Sequence, residues 1–368
     1  MKHRIAVAAV LALGAAPLYA QTTSVQLSGQ IGAGISSKNH QSASDGRLVE
    51  VNDNLLNTSY LRFSGTENLG GGLSTVFSLE SGLAIDTGGG GAGTVASPGA
   101  FWNRQSWVGL DLGGGGRITL GRQFHASTDR VIRSLDVYNV AAPTLHTVPL
   151  GLFGVNRFSA NDTRVSNSVK YRVAVPEVID AGLSVGLGEG SGGRSYAADL
   201  AHVTKKYTVG GFYVSYDAPP TARLANGTLP RYTTWGVGGN AAFGPAKIYA
   251  LWLVSSLDAT ALGRPAQGNK VLDLGLMWSL NPATYLKFAY YDDKGTNMNN
   301  VLGRNGKKNT YIGSIQYLVS KRTELYAAAF ENRFSGGYQL DPVNIAALNR
   351  NAKESSVLGF GTGIRHLF

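Results

Sequence analysis

The sequence predicts an all-β fold, a 16-stranded antiparallel transmembrane β-barrel with short periplasmic turns and long external loops. Three observations carry it. Short clusters of turn formers alternate with longer polar stretches, the segments between them alternate apolar and polar residues, and the chain stops on an aromatic residue at the end of such a segment. The tight turns are Glu67–Gly70, Gly113–Gly116, Pro176–Ala181, Thr204–Lys206, Phe243–Pro245, Asn281–Pro282 and Ser320–Arg322. The longer stretches are 37–56, 87–100, 125–165, 190–194, 218–230, 257–268, 294–307 and 335–353, and only the fourth of these is short. One rim is therefore plain and the other elaborate. An even strand count places both termini on the plain rim, so Gly303 and Asn344 are expected to be reachable from outside and Asn281 is not.

In chain order, residues 1–20 read as a cleaved secretory signal. Lys2 and Arg4 form the charged region, Ile5 to Ala16 the apolar core and Pro17 to Ala20 the cleavage region. That apolar run is too short for a spanning helix of roughly 20 residues. Residues 21–368 then form one barrel domain, with no linker breaking the hairpin rhythm. In the first strand Val25, Leu27, Gly29, Ile31, Ala33 and Ile35 share a face opposite Ser24, Gln26, Ser28, Gln30, Gly32 and Gly34. Later strands repeat the pattern. Leu272, Leu274, Leu276, Trp278 and Leu280 oppose Asp273 and Gly275, and Tyr311, Ile315 and Tyr317 oppose Ser314 and Gln316. In a barrel, the apolar face meets lipid and the polar face a wet lumen. In the last strand Leu358, Phe360, Thr362, Ile364, His366 and Phe368 share one face.

Composition narrows the function classes. The formal charge of +10 falls to +8 without Lys2 and Arg4, and the bases are scattered rather than clustered, which argues against nucleic acid. No Gly-Lys-Ser/Thr follows the run Gly88 to Gly91, so it reads as a flexible loop rather than a phosphate cradle. There is no cysteine and no closely spaced histidine pair, and no nucleophile, base and acid grouping can be argued. The expectation is a protein that is not an enzyme and needs no cofactor or metal.

The Gly-Ile-Arg-His-Leu-Phe ending resembles the trimeric general porins of Gram-negative beta-proteobacteria. Gly65 to Leu73 running into Phe77 to Gly82, Asn103 to Leu110 running on to Thr119 to Gln123, Asn167 to Tyr171, and Tyr317 to Thr323 are similar to that family's hairpins. The resemblance spans 21–368. The chain departs from the pattern in the first strand, which reads Leu27-Ser-Gly-Gln-Ile where the family has an aromatic residue and an acid. Tyr60 stands where the family commonly carries arginine.

The resemblance implies an outer-membrane homotrimer whose third loop, here 125–165, folds into the lumen opposite basic wall residues. Alternation points Arg62, Lys170, Arg172 and Glu80 inward, since an arginine on lipid at the midplane would cost roughly 2–4 kcal/mol. Arg104 and Arg122 match family positions on the basic wall. Strict alternation puts Arg122 on the face of Ile118 and Leu120, so a bulge would be needed to bring it inward. Asp129 and Asp136 are the loop acids that could face the wall, or could pin the loop by local hydrogen bonds. Phe360, Ile364, His366 and Phe368 form the implied C-terminal signal for the barrel assembly machinery. Outer-membrane lipid, lipopolysaccharide, small hydrophilic solutes and inorganic ions are the other implied partners. The expected function is passive diffusion with a modest preference for anions, from bases outnumbering acids at the eyelet. A barrel displaying loops such as 335–353 as an adhesin or binding protein is the alternative; it would conduct little.

Overall fold

Seventeen strand segments form one antiparallel sheet that closes on itself in the computed structural model, which describes residues 23–41, 44–53, 55–90, 100–139, 164–189 and 193–368. The signal segment expected over 1–20 lies outside these residues. The segments are β1 (Thr23–Gln41), β2 (Gly46–Asp53), β3 (Tyr60–Gly70), β4 (Leu73–Gly82), β5 (Gln105–Asp111), β6 (Arg117–Phe124), β7 (Arg164–Val175), β8 (Ile179–Gly186), β9 (Ser195–Val203), β10 (Tyr207–Asp217), β11 (Arg231–Phe243), β12 (Ala246–Leu257), β13 (Gln267–Asn281), β14 (Thr284–Thr296), β15 (Gly306–Leu318), β16 (Thr323–Gly336) and β17 (Ser356–Leu367). Each pairs with its sequence neighbour, except that β3 joins β1 where β2 leaves it, and β1 pairs with β17 from Gln30 opposite Leu367 to Lys38 opposite Gly359. That last pairing removes the sheet edges, so backbone donors and acceptors are satisfied without water.

β2 and β3 lie end to end along the same edge of β1, so they count as one barrel strand and the total is sixteen. Between them the chain bends into the barrel. Leu55 is fully buried and its N–H donates to Tyr326 Oη at 2.9 Å, while Gln30 Nε2 donates to Thr58 O at 2.7 Å. The long first loop expected over 37–56 is not there. β1 and β2 stay paired out to Gln41 and Gly46, and the Lys38–Glu50 ion pair at 2.7 Å spans them. Polar residues signalled a loop in that stretch, but beyond the membrane a strand has no need of apolar side chains.

The barrel is turned as alternation requires. Val25, Leu27, Ile31, Ile35, Leu274, Trp278, Ile315 and Phe360 are exposed on the outside. The apolar core lies inside the barrel, where Leu55, Leu56, Val131, Leu135, Val137 and Tyr138 pack on the inner faces of Leu251, Leu253, Val271, Tyr291, Ile312 and Phe330. At the plain rim the C-terminal residue closes the seam: Gly29 N–H donates to Phe368 O at 3.1 Å and Phe368 N–H to Gly29 O at 3.2 Å. The Phe368 ring lies over Gly29, where a Cβ would stand 2.8 Å from Phe368 Cζ. Phe360, Ile364 and Phe368 face outward, and His366 Nδ1 meets Thr323 Oγ1 at 2.9 Å.

The last external loop dips into the barrel mouth. It carries a helix, Pro342–Leu348, capped by Asp341, whose carboxylate accepts from Asn344 N–H at 3.1 Å. Lys308 Nζ, on the inner face of β15, donates to Asn344 Oδ1 at 3.3 Å, and Tyr338 Oη donates to Asp293 Oδ2 at 2.5 Å. Asn344, expected to be reachable from outside, is therefore fully buried. Gly303 sits beside Leu302, which is 81% exposed, on a loop tip with open space around it. An epitope tag inserted at Gly303 should be labelled on intact cells, a tag at Asn281 should be labelled only after permeabilisation, and a tag at Asn344 should lower the yield of folded barrel. Surface labelling of the Asn281 tag on intact cells would reverse the assigned orientation.

Candidate channel constriction

The chain leaves β6 at Phe124 and, instead of turning outward, enters the lumen. His125 precedes a short helix, α1 (Ala126–Arg130), followed by a π-type turn over Val131–Leu135. Contacts with successive wall strands hold this loop inside. Ser184 Oγ on β8 accepts from Ala126 N–H at 3.1 Å, and Asn240 Nδ2 on β11 donates to Ser134 O at 2.6 Å. Val137 packs against Gly275 on β13, where a Cβ would come within 2.8 Å of it, so only glycine leaves room there. Tyr138 Oη reaches Ser314 Oγ on β15 at 2.9 Å and Lys287 O on β14 at 3.0 Å. Residues 140–163, the rest of this connection, lie outside the described residues.

Charge organises the first half of the loop. Lys170 Nζ on β7 donates to Asp129 Oδ2 at 2.8 Å and to Phe124 O at 3.1 Å. Arg172 contacts Asp180 at 2.5 Å, Asp199 at 2.6 Å and Asp129 at 3.6 Å. Arg130, its side chain 1% exposed, comes down from the loop onto the same acids, 2.8 Å from Asp199 and 3.2 Å from Asp180. A second cluster stands on the wall at β3–β5. Arg62 Nε and Arg104 Nε donate to Glu80 Oε2 and Oε1 at 2.8 and 2.6 Å, and Arg104 also donates to Thr58 Oγ1 at 2.7 Å. Both guanidinium groups lie over the Tyr60 ring, 5.0 and 5.2 Å from its centre. The tyrosine standing in place of an arginine thus acts as a platform for two others.

A cavity of about 400 Å³ opens between the loop and the inner wall of β3–β7. Among the described residues, its charged lining is Arg62, Arg117, Arg133, Lys170 and Arg172 against the single acid Asp129. Arg133, on the loop, is 54% exposed and has a distant partner, Asp180 at 3.8 Å.

The structure sorts the expected site residues. Arg62, Lys170, Arg172 and Asp129 border the cavity. Glu80 and Arg104 stand behind Arg62, buried. Arg122 does not border it. The register shift beside it places the extra residue in β7, since Gly121 pairs with Ser168 and Gln123 with Val165. β6 therefore keeps strict alternation, and Arg122 stays on the outer face with Ile118 and Leu120, donating to Asn103 O at 2.9 Å and Ser166 Oγ at 3.0 Å. Asp136 does not face the basic wall either. It is sealed on the far side, accepting from Tyr291 Oη at 2.6 Å, next to buried Asp273. Of its two alternatives, pinning the loop is the one the contacts match. Sequence reasoning missed Arg130, Arg133, Asp180 and Asp199. The available signal was the Asp129-Arg130 pair with Arg133 one turn later, on a loop already expected inside the lumen.

The comparisons with known proteins agree with this geometry. A family model described as Gram-negative porin matches residues 6–337. The chain belongs to the Gram-negative porin family. It is 27% identical to outer membrane porin protein 32 of Delftia acidovorans, covering 100% of this chain and 99% of that one. It is also 27% identical to an outer membrane porin protein of Bordetella pertussis, covering 100% of both. Among solved structures it is similar to the anion-selective porin from Comamonas acidovorans, with a TM-score of 0.77 and 20% identity over 94% of this chain and 100% of that one. A trimer form of OmpT from Vibrio cholerae gives a TM-score of 0.69 and 13% identity over 94% of this chain and 100% of that one. This porin is thus an outer-membrane channel, and its water-filled lumen lets ions and small hydrophilic solutes diffuse passively.

His125 offers a test of the loop's docking. It is 1% exposed, meets Ser184 Oγ at 3.2 Å and stacks edge-on against Tyr216 at 4.9 Å. Burial, and secondarily the Lys170 charge, push its imidazole down to about 3 from the ordinary 6.5. A folded value below the unfolded one means that, as pH falls from about 6.5, the unfolded state takes up a proton that the folded state refuses. Stability therefore drops by about 1.4 kcal/mol per pH unit in that window. Thermal or denaturant unfolding at pH 6.5 and pH 5 should show the parent protein losing up to about 2 kcal/mol more than His125→Asn. Equal losses in both would show that the histidine is not sealed in the folded protein.

Proposed function

We propose that this porin is a general diffusion channel, without enzymatic activity, whose narrow section favours anions modestly. The observation that carries the reading is the lining of the cavity beside the inward loop, five bases against one acid among the described residues. That acid, Asp129, is itself engaged by Lys170 at 2.8 Å and Arg172 at 3.6 Å, so its field is largely cancelled. Arg62 and Arg133, 35% and 54% exposed, present the least compensated positive charge on wall and loop. An anion passing between them is attracted, and a cation meets no comparably uncompensated acid in this lining. The Comamonas acidovorans porin, similar in fold, is described as anion-selective, which agrees with this direction.

Screening decides how far the effect reaches. Charges more than about 8–10 Å from the permeating ion contribute little at physiological salt, so the local cluster and not the net charge sets the preference. Replacing both Arg62 and Arg133 with Gln should lower the anion-to-cation permeability ratio about two- to threefold in planar bilayers near 0.1 M salt, with a smaller change at 1 M. Clear cation selectivity of the unaltered protein at low salt would overturn the assignment.

The working unit in this proposal is a homotrimer packed through the outer face of β1. Support comes from the exposed apolar residues Val25, Leu27, Ile31 and Ile35, which extend onto Val49 and Val51 of β2. The fold's occurrence in a trimer form of OmpT is in keeping with it. Mild detergent should release an oligomer about three times the subunit mass, and a monodisperse monomer that still conducts would defeat the trimer. Export through the signal at 1–20, insertion through the C-terminal strand by the barrel assembly machinery, and contact with lipopolysaccharide complete the proposal.

A further inference from the structure

We propose that the lipid-facing side of β13–β16, at its long-loop end, is a binding site for a phosphorylated, acylated lipid of the outer leaflet. The sheet register sets three lysines side by side. Lys270 on β13 is directly opposite Lys294 on β14, which is directly opposite Lys307 on β15. All three share the outward face with Leu274, Phe288 and Tyr311. Directly opposed like charges on a sheet repel. Among the described residues, the acid within ion-pair distance of this row is Asp292, 3.4 Å from Lys294 and 3.1 Å from Lys307. The lysine side chains there are 61% and 42% exposed, so they remain available to a further anion. Arg333 on β16, opposite Asn309 and so one outward position nearer the membrane, adds a fourth base beside the row. It is 62% exposed, held by Glu331 at 2.8 Å and placed over the Tyr311 ring at 5.7 Å.

The level of this row identifies its occupant. A few residues nearer the membrane centre, Tyr290 and Tyr311 pack ring to ring at 5.0 Å, as aromatic residues do at the boundary between headgroups and acyl chains. Below them an outward-facing apolar groove of about 660 Å³ runs along the sheet. Its floor is Gly313 paired with Ala329, and the next residues in that cross-strand row are Phe288 on one side and Phe360 on the other. A cationic row above an apolar groove matches a molecule with phosphate at one end and acyl chains at the other. A soluble anion would use the row but leave the groove empty. The groove faces the bilayer, so lipid is the neighbour already present, and the strand direction places the row in the outer leaflet. The proposal rests on the outer-membrane orientation of the barrel and adds the position and chemistry of one lipid contact to it.

The test uses the whole protein in detergent, with diphosphoryl lipid A as the probe and native mass spectrometry as the readout. Lys270→Gln, Lys294→Gln and Lys307→Gln together should weaken binding by about tenfold or more at low salt. Asp292→Asn removes the acid that partly neutralises the row and should strengthen binding. Lys205→Gln with Lys206→Gln, on a turn of the opposite rim, should change nothing. Inorganic phosphate at the same concentration should not displace the probe. Unchanged binding by the triple variant, or weaker binding by Asp292→Asn, would overturn the site. Displacement by inorganic phosphate would overturn the lipid in favour of a soluble anion. Planar-bilayer conductance of the triple variant should equal that of the parent. If the parent itself failed to conduct, the channel reading would fail separately, whatever the lipid result.

Discussion

Closure of the sheet through β1 and β17 is the constraint on which everything else depends. In hydrocarbon no water is present to satisfy a free N–H or C=O, so an open edge in the bilayer would cost several kcal/mol per group. The paired backbone from Gln30 to Lys38 and the terminal bonds between Gly29 and Phe368 meet that demand. Once the cylinder is closed, alternation has a fixed meaning. Successive residues along a strand face lipid and lumen in turn. The inversion of the usual protein, with its apolar core residues inside where the third loop, the Leu55 segment and the last external loop fold back, follows directly.

The closed barrel then acts as a mould for charge. A base facing lipid is costly, so although Arg122 is held on the outer face by Asn103 O and Ser166 Oγ, Arg62, Lys170 and Arg172 of β3 and β7 collect in the lumen, and the loop that enters it is fixed by matching them. Arg172 and Arg130 share Asp180 and Asp199, which ties the loop helix to β7, β8 and β9 through one network. Breaking one member would leave a buried charge uncompensated, which is far costlier than losing a surface pair. The pairs that hold the loop are therefore electrically quiet. The less compensated groups, Arg62, which shares Glu80 with Arg104, and Arg133, are those the cavity displays. Anchoring and selectivity draw on the same pool of residues but use different members of it.

The outer surface shows the same division. Most of it is featureless to water and to charge, as lipid requires. Where strands rise above the aromatic level, charged residues return, and at β13–β15 the register aligns three of them. Inside the mouth, the last external loop is held by the Lys308–Asn344 and Tyr338–Asp293 contacts, which turn a stretch that reads as free loop into a packed lid over one side of the opening.

The sequence by itself determined the barrel, its strand number, its orientation and the inward aim of Arg62, Lys170, Arg172 and Glu80, because period-two alternation and turn chemistry are local properties. It was less informative where a residue's role depends on what stands across from it. Polar residues over 37–56 looked like a loop, but pairing with the facing strand keeps them extended. Arg122 could be brought inward only by a bulge in its own strand, and the extra residue went to β7. Asp129 and Asp136 lie on one loop, yet one borders the channel and the other is sealed against Tyr291. Only the tertiary structure decided that, together with the partnership of Arg130 with Asp180 and Asp199. Such pairings depend on the path of a loop across the lumen, which is set by wall contacts as distant in sequence as Gly275 and Ser314, and no local pattern records them.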